Sequence, residues 1–101
     1  MIFRRGRFRD LIDRQLDLFA SETDLLDEAA AADAAWTDAS ADESEELFGD
    51  YQLVVDAIGE RLYEIRESYA ATLDDSAADE YRAAFDRAVR KRFGRLAAFL
   101  E

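Results

Sequence analysis

Four arginines, Arg4, Arg5, Arg7 and Arg9, stand within the first nine residues, interleaved with Phe3, Phe8 and Gly6, on a chain whose formal net charge is −11. Arginine beside an aromatic ring is the pairing that grips anions and stacks on flat groups, so this stretch is read as a contact arm. A second basic run, Arg87, Arg90, Lys91, Arg92 and Arg95, occupies the C-terminal part. Arg87, Lys91 and Arg95 recur there at a spacing of four, on one side of a helix. Phe3, Arg4, Arg5, Arg7, Phe8, Arg9, Arg87, Lys91 and Arg95 are therefore the candidate partner-contact residues.

Other chemistries fare worse. The chain has no Cys and no His, which removes thiol nucleophiles, disulfides, thiolate and imidazole metal ligands, and the usual general base near neutral pH. Carboxylates are abundant, but a dimetal bundle site needs Glu-x-x-His pairs. Asp50, Asp56, Glu60, Glu64 and Glu67 fall off the apolar stripe of their helix and read as a solvated face. The acidic stretch DASADESEE lacks the Gly and spacing of a calcium loop, and neither G-x-S-x-G nor a Gly-rich phosphate loop occurs. The expectation is a non-catalytic protein with no cofactor and no metal.

The elements that would hold these residues follow from apolar periodicity. From Phe8, the apolar residues Leu11, Ile12, Leu16, Leu18, Phe19, Leu25, Leu26, Ala29 and Ala30 lead to Trp36 in a repeat of three and four, predicting one helix over about 9–36. Ser21 with Asp24 is the alternative that would split it. TDASADESEE is a turn, with Ser40, Asp42 or Ser44 as N-cap. Leu47, Tyr51, Val54, Val55, Ile58, Leu62, Ile65, Tyr69 and Leu73 form the second stripe. Ser76 caps a third helix carrying Tyr81, Phe85, Ala88, Val89, Phe93, Leu96, Phe99 and Leu100. Arg92 falls inside that apolar sector and Asp33 near the first; both read as edge positions with snorkelling side chains, a buried pair being the alternative. Three helices of about 24–29 residues, joined by short turns, predict an all-α, antiparallel up-down-up three-helix bundle with long helices. Residues 1–101 are expected to form one domain, with 1–8 as a flexible basic arm.

Trp36-Thr37-Asp38 resembles the Trp-x-Gly turn of the secreted WXG proteins in its tryptophan. Asp38 stands where that family has Gly and a third helix follows, so Trp36 is read instead as a core cap.

Charge is segregated along the chain: +3 over residues 1–16, −18 over 17–80 and +4 over 81–101. In the expected bundle, each basic segment lies near an acidic turn of its own molecule, the first at Asp74, Asp75, Asp79 and Glu80, the second at Asp38, Asp42, Glu43, Glu45 and Glu46. The acidic middle and the pI of about 4.3 argue against nucleic acid and anionic membranes as partners. The basic start is followed by no apolar run of signal-peptide or membrane-spanning length, which points to the cytoplasm. The expected function is a small acidic helical interaction module, an adaptor, assembly factor or regulatory subunit that meets a protein partner or a second copy of itself. The alternative is an anion-binding module using the basic termini. Arg outnumbers Lys twelve to one and Asp is heavily used, a composition that fits GC-rich coding or a salt-rich cytoplasm.

Overall fold

The computed structural model describes residues 6–94, which form four helices and no strand: α1 (Arg9–Glu22), α2 (Leu25–Thr37), α3 (Ala41–Ala70) and α4 (Asp75–Phe93). The chain is all-α, but the expected three helices are four. The first is broken at Thr23, which takes an extended conformation (φ −119°, ψ 146°), and its Oγ1 accepts a hydrogen bond from the Leu25 N–H at 3.1 Å. A β-branched hydroxyl residue offers the backbone this local alternative to the helix, and here the alternative prevails over an apolar stripe that continues in phase.

The other boundaries follow from caps. Ser40 precedes α3 in an extended conformation, and its hydroxyl donates to Glu43 at 2.9 Å. Asp74, not Ser76, caps α4: its carboxylate accepts the Ala77 N–H at 2.8 Å. α4 ends at Phe93 because Gly94 adopts φ 57°, a backbone that L side chains rarely take. Leu96, Phe99 and Leu100, read as part of the same stripe, lie outside the described residues.

Ring contacts give the packing directions. Phe8 meets Tyr81 edge-on at 5.4 Å and Phe19 meets Phe93 at 5.9 Å, so α1 and α4 run side by side in the same sense. α3 opposes both, since Phe8 also meets Tyr69, and Arg66 and Glu67 reach Asp86 and Arg82. The core lies where these three helices converge: Ile12, Leu16, Ile58, Leu62, Tyr81, Phe85 and Val89 are completely enclosed. The Tyr81 hydroxyl keeps a partner inside it by donating to Gln15 Oε1 at 2.8 Å.

α2 folds back on α3 through residues 38–40 and packs along its first half. α4 ends level with this pair: Arg92 and Phe93 share one furrow with Leu26, Ala29, Ala30, Asp33 and Tyr51. Ala41 is ten residues before Tyr51, so the turn end of the α2–α3 hairpin reaches about 15 Å further at 1.5 Å per residue.

Candidate partner-binding surfaces

The basic residues singled out in the sequence divide into three groups. Phe3, Arg4, Arg5 and Arg95 lie outside the described residues. Phe8, assigned to the arm, is buried at 6% exposure between Tyr69 and Tyr81, with the Arg7 guanidinium 5.1 Å over its outer face. It is an anchor of the core and offers nothing to a partner. Arg7 remains exposed and approaches Glu80 at 3.9 Å, beside the acidic start of α4.

Arg9, Arg87 and Lys91 converge. They line a furrow between α1 and α4, one stretch of about 400 Å³ with Asp13, Leu16, Ala88 and Arg92, continuing into one of about 170 Å³ with Gly6, Ile12 and Ala84. Ala84 and Ala88 keep its floor low, because a methyl is all that rises from α4 there. Four cations against the single carboxylate Asp13 make it a basic strip on an acidic molecule. Asp13 sits 4.0 Å from Arg9. Arg92, one of the four, reaches across to Asp17 on α1 at 2.8 Å. Its guanidinium snorkels to the rim and pairs with α1, not with the acidic turn at 38–46 that was expected to face this end of the helix.

The second surface is the turn end of the hairpin. No residue from Ala30 to Val54 is buried, although this stretch contains Trp36, Leu47, Phe48, Tyr51, Leu53 and Val54. Trp36 and Phe48 contact each other at 4.9 Å, and Tyr51 lies nearly parallel to the indole at 6.3 Å. The three rings form a cluster across the two helices, yet Phe48 keeps 37% of its surface exposed and Leu53, on another side of α3, keeps 69%. Trp36 is thus half-buried in a surface cluster rather than closing a core. From residue 25 to residue 60 the chain carries eleven carboxylates and no Lys or Arg.

Reading the stripes alone placed Trp36 and Tyr51 in the core and passed over Phe48.

A third cluster joins α3 to α4. Arg66 donates to both Asp86 oxygens and to Glu67, while Arg82 donates to both Glu67 oxygens at 3.0–3.2 Å. The Arg82 guanidinium, then Arg66, hold the Glu67 carboxyl below its ordinary range despite the opposing effect of burial. Every group in this network has a partner, which marks a structural clamp rather than a reactive site.

Among the described residues, no group of three or more acidic side chains is arranged to hold a metal ion, and no helix is long and apolar enough to cross a membrane. The chain matches no family model, no curated protein and no solved structure.

Proposed function

We propose that the protein is a non-catalytic interaction module of the cytoplasm, an adaptor, assembly factor or regulatory subunit that docks a protein partner on the turn end of its α2–α3 hairpin. The observation that carries this reading is the run from Ala30 to Val54: six large apolar side chains, three of them clustered rings, and none enclosed. A two-helix hairpin encloses little by itself, and a partner laid on it would supply the missing side of a core. The converging α1, α3 and α4 hold the enclosed core from which the hairpin projects.

A second reading, an anion-binding module, is favoured by one observation, the convergence of Arg9, Arg87, Lys91 and Arg92 on the α1–α4 furrow. A tagged pull-down from the source lysate at low and high salt separates the two. One protein retained stoichiometrically at high salt, and lost on Phe48→Ala with Tyr51→Ala, supports the docking module. Nucleic acid or lipid retained only at low salt, and lost on Arg9→Ala with Arg87→Ala and Lys91→Ala, overturns it in favour of anion binding.

A further inference from the structure

The basic furrow between α1 and α4 has a counterpart on the same chain. On α3, Glu46, Leu53, Asp56 and Glu60 follow one another at spacings of seven, three and four, which puts them on one side of the helix. Ile58 and Leu62, enclosed where α1, α3 and α4 converge, lie about half a turn round from them, so this strip faces away from the core. Leu53 keeps 69% of its surface exposed, more than any other large apolar side chain among the described residues.

The charges of the two surfaces are not used within the molecule. Among the described residues Glu46, Asp56 and Glu60 make no ion pair, whereas Glu64 and Glu67, further along α3, pair with Arg61, Arg66 and Arg82. In the furrow, Arg87 and Lys91 make none either, and Arg9 meets only Asp13, at 4.0 Å. Arg92 is already paired with Asp17 and is left out of the argument.

The two surfaces are complementary in shape as well as in sign. The furrow sets its cations beside a low floor of Ala84 and Ala88, and the strip sets its carboxylates around a projecting leucine. Arg87 and Lys91 are four apart on α4, and Asp56 and Glu60 four apart on α3, so both pairs repeat at about 6 Å along their helices. A ridge of one helix laid between two others is the ordinary way such a furrow is filled. The furrow opens where α1 meets α4, and the strip lies on the side of α3 turned away from both. One molecule cannot bring the two together, but two copies can.

The net charge of −11 on each copy opposes their approach. At 0.15 M salt the screening length is about 8 Å, so charges in contact across the furrow attract while most of the remaining charge, spread over a molecule 56 Å long, is screened. One helix face in one furrow buries no more than the roughly 1,200 Å² of total surface at which stable complexes begin, so the association is weak and follows concentration.

We propose that the α1–α4 furrow takes the outward face of α3 from a second copy of this chain, with Leu53 seated over Ala84 and Ala88, and Glu46, Asp56 and Glu60 facing Arg9, Arg87 and Lys91. The inference rests on the furrow of the anion-binding reading, whose anion it identifies as the chain's own α3, and it does not involve the ring cluster of the hairpin. The two faces are different surfaces on opposite sides of the molecule, so the contact is head-to-tail and repeats from copy to copy.

The test uses the full chain. Sedimentation over a hundredfold range of concentration, in 0.15 M and 1 M KCl, reads association, and amide chemical shifts read location. In 0.15 M KCl the average mass is expected to rise with concentration, with shifts in residues 46–60 and at Arg9, Ala84, Ala88 and Lys91. In 1 M KCl the association should weaken at least tenfold, and Leu53→Ala should weaken it severalfold. Arg87→Glu with Lys91→Glu, and separately Asp56→Lys with Glu60→Lys, should each leave the chain monomeric with its helix content unchanged. An equimolar mixture of these two variants should associate again, because each supplies the charge the other has lost.

A chain monomeric at every concentration, association unchanged in 1 M KCl, or a mixture that stays monomeric would each overturn the proposal. So would a monomeric chain whose furrow residues shift only when DNA or anionic phospholipid vesicles are added, which would give the furrow to nucleic acid or lipid. A lysate partner that is lost on Phe48→Ala with Tyr51→Ala, and is held by a chain that stays monomeric, would leave the docking function standing and remove only this inference.

Discussion

Arg66 and Asp86 tie α3 to α4 through a single guanidinium nitrogen that donates to both carboxylate oxygens, at 2.8 and 3.1 Å. Both side chains are mostly enclosed, with 13% and 20% of their surfaces exposed. In such surroundings the loss of one partner leaves the other desolvated and uncompensated, which is the costly half of a buried pair. Arg66→Ala is therefore expected to destabilise the fold by about 2 kcal/mol, measured by urea denaturation, and Asp86→Ala by a similar amount. In the double variant the two losses should fall well short of adding, because the same contact is removed twice. Additive losses would show that the pair is not a unit.

Glu67 and Tyr81 set the two pH limbs of stability. The Glu67 carboxyl is held below its ordinary value of 4.5, first by the Arg82 hydrogen bonds and then by Arg66. Its contribution is complete above pH 4.5 and is lost as the pH falls through the lower folded value. Tyr81 behaves oppositely: burial, partly offset by the Gln15 hydrogen bond, raises its phenol above 10.0. Its neutral form is favoured in the folded state, so stability declines as the pH rises above about 10 towards the folded value. Glu67→Gln should flatten the acid limb and Tyr81→Phe the alkaline one, each also lowering stability at neutral pH by about 1 kcal/mol through a lost hydrogen bond. Denaturation midpoints from pH 3 to 11 read both limbs.

Phe8 and its neighbour Arg7 separate cleanly by burial. Phe8→Ala removes a buried ring that meets both Tyr69 and Tyr81, and a loss of about 3 kcal/mol is expected. Arg7→Ala removes an exposed side chain 3.9 Å from Glu80 and should change stability by less than about 1 kcal/mol. Thermal melts of the two variants decide it. A neutral Phe8→Ala would return Phe8 to the contact arm.

The long stripes were the legible part of this chain. Ile12, Leu16, Ile58, Leu62, Tyr81, Phe85 and Val89 lie on the faces that the three- and four-residue spacing predicts, and all are enclosed. What periodicity could not supply was termination. Thr23 breaks a stripe whose phase carries on regardless, and α4 closes at Phe93, where Gly94 takes a positive φ. Both breaks are decided by a single residue's backbone, which a sum over many apolar positions does not register. Periodicity also misread the hairpin surface: Trp36 and Tyr51 belong to stripes, yet both are only half-buried. The basic furrow was half legible, since Arg87 and Lys91 share a helix face by spacing, whereas that Arg9 faces them across the α1–α4 furrow depends on the packing of the two helices. Arg92 was marked by its place inside an apolar sector, and the reason is its reach to Asp17.

Charge segregation makes the two ends of the molecule respond differently to salt. The base holds the enclosed core and the Arg66, Glu67, Arg82 and Asp86 clamp. The hairpin has eleven carboxylates over residues 25–60, no cation, and few enclosed side chains beyond Ala29, Val55 and Ile58. At about 0.01 M salt the screening length is ~30 Å, so carboxylates repel along the whole hairpin end, while at 1 M it is ~3 Å and only close neighbours interact. Melting temperature should therefore rise strongly from low to molar KCl. Hydrogen exchange should place the gain in residues 25–57, with amides of α4 around Tyr81 and Phe85 little changed. Glu45→Gln, Glu46→Gln and Asp50→Asn together should raise the low-salt melting temperature and flatten the profile. A flat profile in the unsubstituted protein, or protection gained evenly over α1, α3 and α4, would mean that repulsion in the hairpin does not limit its stability.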